Sequence, residues 1–199
     1  MNQIIITALL VLIAITGRAQ ELRVNEPTLD DYLQLLNAQG YIAYSFDMKD
    51  FKDKSVEPVI MEYVDGKEPR DVLGFGFSFS FPIEEKLVIG FAPSSNDSTY
   101  IYSFQSVDCG GFNGTLNLQP IYAPEMPTKQ SYRYESRPFE LVSPVKTGEF
   151  IPLVLFGSFW YEPETGVSRF CGEQFIKPDL SSEIIKSIPH FYVLGIKIR

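Results

Sequence analysis

The sequence has few of the residue types on which many catalytic sites depend. Its 199 residues include one histidine, two cysteines and one tryptophan. A single histidine excludes zinc sites built from two or three imidazoles. The sequence contains no G-x-S-x-G motif of a nucleophilic serine and no C-x-x-C redox motif. His190, between Pro189 and Phe191, marks the start of a last strand. We therefore predict no catalytic residue, no metal site and no cofactor.

Basic residues are also few. The chain has 17 lysines and arginines against 25 acidic residues, which gives a net charge of −8. No cluster of lysine and arginine is longer than two residues. Nucleic acids and anionic membrane surfaces repel a protein with this charge. The composition therefore excludes nucleic acid as a partner.

Long apolar runs are absent after the first twenty residues. Residues 4–15 form an apolar run interrupted only by Thr7, and Gly17-Arg18-Ala19 provides a small-x-small cleavage site. A helix of this length reaches about 18 Å, whereas the hydrocarbon core of a membrane is about 30 Å thick. The pattern predicts a signal peptide over residues 1–19. Because no lysine or arginine precedes the run, an uncleaved anchor stays the alternative.

Export has consequences for the rest of the chain. Neither cysteine lies near the predicted cleavage site, so we expect no lipid anchor and a product in the periplasm, at the cell surface or outside the cell. Cys109 and Cys171 are predicted to form a disulfide, because exported proteins fold in oxidising compartments. Two separate buried thiols are the alternative.

The predicted disulfide would bring two acidic residues together. Asp108 precedes Cys109, and Glu173 follows Cys171 by two positions. Paired carboxylates serve glycoside hydrolysis or calcium binding in other proteins. Two solvated side chains beside a disulfide are the structural alternative. We keep both residues as candidates for a binding site.

One short helix is predicted near the start of the exported chain. Thr28 is a suitable N-cap, with Asp31 as its capping-box partner, and Gly40 is placed to end the helix. Apolar residues recur at helical spacing between these signals, at Leu29, Tyr32, Leu33 and Leu36.

The period of the apolar pattern then changes to two, which is typical of strands. Turn signals separate the segments, at residues 93–98, 113–114, 147–148 and 165–166. We predict one all-β domain over residues 20–199, a mainly antiparallel β-sandwich of about nine or ten strands with one short N-terminal helix. Outside residues 74–81, the strand-like segments are 42–48, 58–64, 86–92, 99–107, 115–122, 130–135, 150–160, 167–175 and 191–198.

Residues 74–81 contain the most regular alternation in the chain. Four phenylalanines alternate with glycine and serine, so a strand would present all four rings on one face. The prediction is a core strand, and an exposed aromatic platform is the alternative. The phenylalanines are Phe75, Phe77, Phe79 and Phe81.

The only tryptophan lies in a second aromatic group. Trp160, Tyr161 and Glu162 precede a predicted turn at residues 163–166. Adjacent strand residues point to opposite faces, so one of the two rings approaches the surface. An aromatic ring beside a carboxylate could stack on a sugar, or it could close the end of the core. We keep these three residues as candidate binding residues.

A short signal, the Ala19–Gln20 junction and an acidic domain rich in tyrosine and phenylalanine are together similar to uncharacterised exported proteins of gut-dwelling Gram-negative bacteria, a family of unknown function. The resemblance carries no functional residue. The leading hypothesis is a non-enzymatic exported β-sandwich with a binding or cell-envelope role. A glycan-binding module and a small eight-stranded outer-membrane barrel are the alternatives, and a glycan or an envelope protein are the partner classes left open.

The predicted cleavage is directly testable. We expect N-terminal sequencing of the exported protein to give Gln20 as the first residue, because Ala19 completes the small-x-small site. A mature chain that still begins at Met1 would contradict the signal peptide.

Overall fold

The computed structural model describes residues 26–74, 79–106, 110–123, 131–141 and 143–199. The predicted signal peptide lies outside these residues. The chain divides into two units, one up to Leu35 and the other from Leu36 to Arg199. Among the described residues, no helix has both the length and the hydropathy needed to cross a membrane.

The predicted helix is present as α1, Leu29–Ala38. Its start is fixed by the carboxylate of Asp31, which accepts the Thr28 N–H at 2.7 Å and the Thr28 hydroxyl at 2.8 Å. These bonds lower the pKa of Asp31. After the helix Gly40 has a φ of +90°, a conformation that favours glycine. The helix carries no buried residue, so its apolar side chains are exposed.

The described residues contain twelve strands, which form mainly antiparallel pairs. They are β1 Ile42–Asp47, β2 Ser55–Val64, β3 Arg70–Asp71, β4 Phe81–Pro82, β5 Lys86–Pro93, β6 Thr99–Ser106, β7 Gly110–Asn117, β8 Tyr134–Pro138, β9 Ile151–Ser158, β10 Trp160–Glu162, β11 Val167–Arg169 and β12 His190–Ile198. A 3₁₀ helix, Lys49–Phe51, follows β1, and another, Glu183–Ser187, precedes β12.

The strands form two main sheets and one small one. The first main sheet has the order β1-β5-β6-β7, and the second has the order β3-β2-β12-β9-β8, with β4 also paired to β2. Strands β10 and β11 form a separate hairpin. The predicted all-β sandwich is confirmed, with more strands than expected because several have only two or three residues.

The main core lies between the two large sheets. In the antiparallel pair of β2 and β12, Val56 is opposite Ile198 and Ile60 is opposite Leu194, so these side chains share one face. From the facing sheet, β5, β6 and β7 contribute further buried residues to the same cluster, namely Leu87, Ile89, Phe91, Tyr102, Phe104 and Leu116. Burial of one large apolar side chain contributes about 1.5–3 kcal/mol.

The opposite face of the six-stranded sheet is also covered. Leu155 and Val193 alternate with the residues of the main core and pack in a second cluster. The covering side chains come mainly from the chain between β11 and β12, and they include Phe170, Ile176, Ile184 and Ile188. Strands β9 and β12 are therefore buried on both faces, which explains why their sequences are almost continuously apolar.

One predicted turn is wrong. Asn113 and Gly114 lie inside β7, where they pair with Ser103 and Tyr102 of β6. The ring of Tyr102 covers Gly114, and a Cβ at this position would approach the Tyr102 hydroxyl oxygen to 2.5 Å. Glycine is therefore required here for close packing, and the Asn-Gly pair does not form a hairpin turn.

The phenylalanine ladder is only partly within the described residues. Phe75 and Phe77 lie outside them. Phe81 is buried in β4, as the core interpretation predicts, but Phe79 remains 38% exposed. The Phe79 and Phe81 ring centroids are 5.9 Å apart. In the described part of the ladder, only Phe81 is in a strand, so the predicted long strand is not present there.

Two isoleucines test the position of the main core. We expect Ile60→Ala to lower the free energy of unfolding by about 2–5 kcal/mol, because it leaves a cavity between the sheets. Ile101→Ala, on an exposed face of β6, should cost about 1 kcal/mol or less. Urea unfolding measures both values. Equal losses would contradict the assignment of Ile60 to the core.

Candidate functional site

Five side chains of the six-stranded sheet form a polar cluster at one end of the sandwich. We call this cluster the His190 network; it consists of His190 and Tyr192 from β12, Glu62 from β2, Tyr134 from β8 and Arg70 from β3. Glu62 is directly opposite Tyr192 in the β2–β12 pair, and His190 lies two residues away on the same face.

The hydrogen bonds within the network show which ring nitrogen of His190 carries the proton. Nε2 of His190 is 3.2 Å from Oε1 of Glu62, and the Tyr134 hydroxyl bonds to Nδ1. A carboxylate only accepts hydrogen bonds, so Nε2 carries the proton and Nδ1 accepts from Tyr134. Arg70 donates to the other carboxylate oxygen of Glu62, from Nε at 2.8 Å and from Nη2 at 2.6 Å.

The network joins the two main sheets. The Tyr192 hydroxyl is 2.9 Å from Glu62 and 2.6 Å from the carbonyl oxygen of Asn117, the last residue of β7. The backbone N–H of Gln119 donates to the Tyr134 hydroxyl at 2.9 Å. Residues of β2, β8 and β12 are thus connected to the end of the four-stranded sheet and to the chain that follows it.

Burial determines the protonation states of the network. It lowers the pKa of His190, although the bond and charge of Glu62 act in the opposite direction. Burial also acts to raise the pKa of Glu62, but hydrogen bonds from Arg70, Tyr192 and His190 outweigh it, and the pKa is lowered. The hydroxyls of Tyr134 and Tyr192 have raised pKa values because they are buried. Near neutral pH the network therefore holds an ionised Glu62 and a neutral His190.

Sequence reasoning considered only His190 of this network. Glu62 had a detectable signal, because it occupies an inward-facing position in a strand whose other inward residues include Val56, Pro58 and Ile60. An acidic residue at such a position needs partners. The network is closed to solvent at its centre, where His190 is 1% exposed. It therefore stabilises the fold and does not present its histidine to a substrate.

A second polar group faces solvent. It surrounds an open pocket of about 530 Å³ between β1 and β8, which are edge strands of the two main sheets. We call it the edge pocket. Its volume lies within the range of about 300–1,000 Å³ that is typical of small-ligand sites. The residues that line it are Tyr44, Ser136, Arg137, Pro138, Gly172 and Gln174.

Two hydroxyl groups connect the sheets at this pocket. The hydroxyl oxygen of Tyr44 in β1 is 2.9 Å from that of Ser136 in β8. Burial raises the pKa of Tyr44, so its hydroxyl stays protonated at neutral pH. One of the two hydroxyl protons is used in this bond.

Arg137 is held firmly at the pocket wall. Its Nη1 atom donates to a carboxylate oxygen of Glu135 at 2.7 Å and to the carbonyl oxygen of Ser136 at 3.0 Å. Nη2 donates to the carbonyl oxygen of Phe170 at 3.3 Å, and the guanidinium carbon lies 4.9 Å from the centre of the Phe170 ring. Glu135 therefore compensates the positive charge of Arg137.

A fixed loop supplies the opposite wall. Phe170 and Ile176 are buried at its two ends. Between them, the carboxylate of Glu173 accepts the N–H of Glu183 at 2.7 Å and the N–H of Ile184 at 3.1 Å. Hydrogen bonds from the backbone N–H of Glu173 itself and from these two N–H groups lower the pKa of Glu173. Glu173 thus anchors the loop to the 3₁₀ helix before β12.

The remaining predicted site residues are only partly connected to this region. Cys171 is exposed and carries a free thiol. The predicted disulfide is therefore not formed in this structure. Cys109 and Asp108 lie outside the described residues, so the predicted proximity of Asp108 to Glu173 stays a prediction. Within the described ranges, no group of three or more histidine, cysteine, aspartate or glutamate side chains could hold a metal ion.

Trp160, Tyr161 and Glu162 form β10 and are all partly exposed. The indole of Trp160 is 6.3 Å from the ring of Phe170, the same ring that Arg137 covers. Nε of Arg169 is 3.1 Å from the carboxylate of Glu162. The structure thus connects Trp160 to the wall of the edge pocket through Phe170, and it pairs Glu162 within the hairpin.

These features define an all-β sandwich with a buried polar network and an open polar pocket at the edge of its sheets. The chain belongs to a domain family of unknown function (DUF5041), whose model matches residues 11–199. No curated protein and no solved structure matches the chain.

The His190 network predicts how stability depends on pH. A neutral buried histidine binds fewer protons than in the unfolded chain, so stability should begin to fall as the pH drops below the ordinary histidine pKa of 6.5. The lowered pKa of Glu62 should add a further loss below its ordinary value of 4.5. Urea unfolding between pH 8 and about pH 4 measures both losses of stability.

The matched variant is His190→Gln. The chain has one histidine, so this variant should lose the pH dependence between about pH 5 and 7. It should also be less stable at pH 8, by about 1–3 kcal/mol, because Tyr134 and Glu62 lose a partner. An unchanged pH dependence in the variant would refute the role of His190.

Proposed function

We propose that the protein is exported and acts in the cell envelope as a non-enzymatic binding protein, with the edge pocket as its ligand site. The observation that carries this proposal is the pocket itself. Polar side chains from β1, from β8 and from the loop after β11 converge on a space that is open to solvent. Buried neighbours and backbone hydrogen bonds hold the surrounding chain in place, as expected of a pre-formed site.

Two observations support a non-enzymatic role. The only histidine of the chain is buried, and both of its ring nitrogens are hydrogen-bonded. Among the described residues, the pocket lining contains no carboxylate, and the nearby Glu135 is bound by Arg137. General acid–base catalysis needs a titratable group within reach of the substrate. The edge pocket offers hydroxyl, amide and guanidinium groups, which suit binding.

Export is supported by the sequence of residues 1–19, which has the apolar run and the small-x-small site of a signal peptide. The short run is the argument against a membrane anchor, since it reaches about 18 Å. A role in the periplasm or at the cell surface follows from this proposed export.

The β10–β11 hairpin is a second candidate site, for a glycan. It forms its own two-stranded sheet, and all residues of β10 remain partly exposed. Trp160 or Tyr161 would then stack on a sugar ring, while Glu162 would accept hydroxyl hydrogen bonds. This candidate shares its neighbour Phe170 with the edge pocket, so one experiment can separate the two sites.

The experiment is a binding screen of the isotope-labelled protein by NMR. The panel contains neutral oligosaccharides, acidic oligosaccharides and short peptides. We expect a member of the panel to shift the amide signals of Arg137 and Gln174. Arg137→Ala should then weaken binding by about tenfold or more, because it removes charge-assisted hydrogen bonds.

Arg133→Ala is the matched control. Arg133 also covers an aromatic ring, with its guanidinium carbon 4.3 Å from the centre of the Phe159 ring, but it does not line the pocket. The Arg133→Ala variant should bind the same ligand with the affinity of the unmodified protein. Shifts confined to Trp160 and Tyr161 would favour the hairpin. If none of the three ligand classes shifts the amide signals of the pocket residues, the proposed site is wrong.

A further inference from the structure

We infer that the ligand of the edge pocket is a neutral, hydroxyl-rich molecule, a carbohydrate. This inference rests on the proposed function of the pocket and adds the chemical class of the ligand. Three properties of the described residues carry it: the compensated charge of the pocket, its mixture of donors and acceptors, and the occupied backbone edge beside it.

The charge of the pocket is already compensated. Arg137 is the one charged side chain among the described residues of the lining, and the carboxylate of Glu135 holds it at 2.7 Å. An acidic ligand would have to compete with Glu135 for the guanidinium group. It would also approach a protein whose net charge is −8. A neutral ligand neither competes with Glu135 for the guanidinium group nor is repelled by the negative charge of the protein.

The free hydrogen-bonding groups of the pocket match hydroxyl groups. Of the five N–H donors of Arg137, two have no partner among the described residues. The Tyr44–Ser136 pair uses one of its two protons. The carboxamide of Gln174 is exposed and offers both a donor and an acceptor. A sugar hydroxyl both donates and accepts, so it can bind to each of these groups.

A peptide is disfavoured by the backbone at the β8 side. Peptides commonly bind a sandwich by adding a strand to a free edge. At the end of β8, Ile176 already occupies that position, because its N–H donates to the Pro138 carbonyl at 3.0 Å and its carbonyl accepts the Glu140 N–H at 2.8 Å. Pro138 itself has no N–H to offer. Its ring instead provides an apolar surface for the C–H groups of a sugar.

Calorimetric titration tests the ligand class directly. The probes are maltotetraose, cellotetraose and chitotetraose as neutral sugars, tetragalacturonate as an acidic sugar, and a pool of uncharged tetrapeptides. We expect at least one neutral sugar to bind. Gln174→Ala and Tyr44→Phe should each weaken that binding by about three- to tenfold, the effect of one neutral hydrogen bond. Gln105→Ala, which changes an exposed glutamine of β6, is the control and should leave the affinity unchanged.

Each other outcome overturns the inference. Binding of tetragalacturonate or peptides at the pocket without any neutral sugar would keep the pocket as a binding site but reject a neutral carbohydrate as its ligand. If a neutral sugar binds to both pocket variants with the affinity of the unmodified protein, the sugar does not bind through the pocket, and the inference is rejected. Failure of all neutral sugars at millimolar concentration also rejects it. Tyr44→Phe removes a bond between the sheets, so its fold is checked by thermal unfolding, whereas Gln174→Ala changes an exposed side chain.

Discussion

The burial of β12 on both faces is the constraint on which the rest of the structure depends. This strand pairs with β2 on one side and with β9 on the other. Its residues alternate between two clusters, with Leu194 and Ile196 in the main core and Phe191 and Val193 in the second one. A strand of this kind needs cover on both faces. The four-stranded sheet covers one face, and the chain between β11 and β12 covers the other.

This constraint also explains the polar network. The alternation that directs Leu194 inward also directs Tyr192 and His190 inward at the start of β12. A buried polar group without a partner costs about 1–3 kcal/mol. Glu62, Tyr134 and the carbonyl of Asn117 supply partners for both residues. The polar end of β12 is therefore satisfied only when both sheets and the chain around Gln119 are in place.

The sequence predicted most of the fold because strand periodicity and turn residues are local signals. The strands at Ile42–Asp47, Lys86–Pro93 and His190–Ile198 lie close to their predicted positions. Local patterns failed where a distant residue decides the outcome. Gly114 looks like a turn residue, but the ring of Tyr102 requires the glycine.

The site residues depend even more on distant contacts. His190 and Glu62 are 128 positions apart, and Tyr44 and Ser136 are 92 positions apart. Without strand register, neither pair can be recognised. Glu173 was predicted as a candidate binding residue, whereas in the structure its carboxylate accepts the N–H groups of Glu183 and Ile184. A carboxylate in a sequence does not show whether it serves a ligand or the backbone.

The edge pocket lies where the two sheets end. Edge strands β1 and β8 approach each other there through hydroxyl groups, whereas the interior of the sandwich is closed by apolar side chains. Strands β1 and β8 hold Tyr44 and Arg137, and the anchored loop holds Gln174, so a ligand would find its partners already ordered. Such pre-organisation lowers the entropic cost of binding. A stable core and an open, polar edge are therefore compatible in this fold, because the core fixes the strands from which the edge residues project.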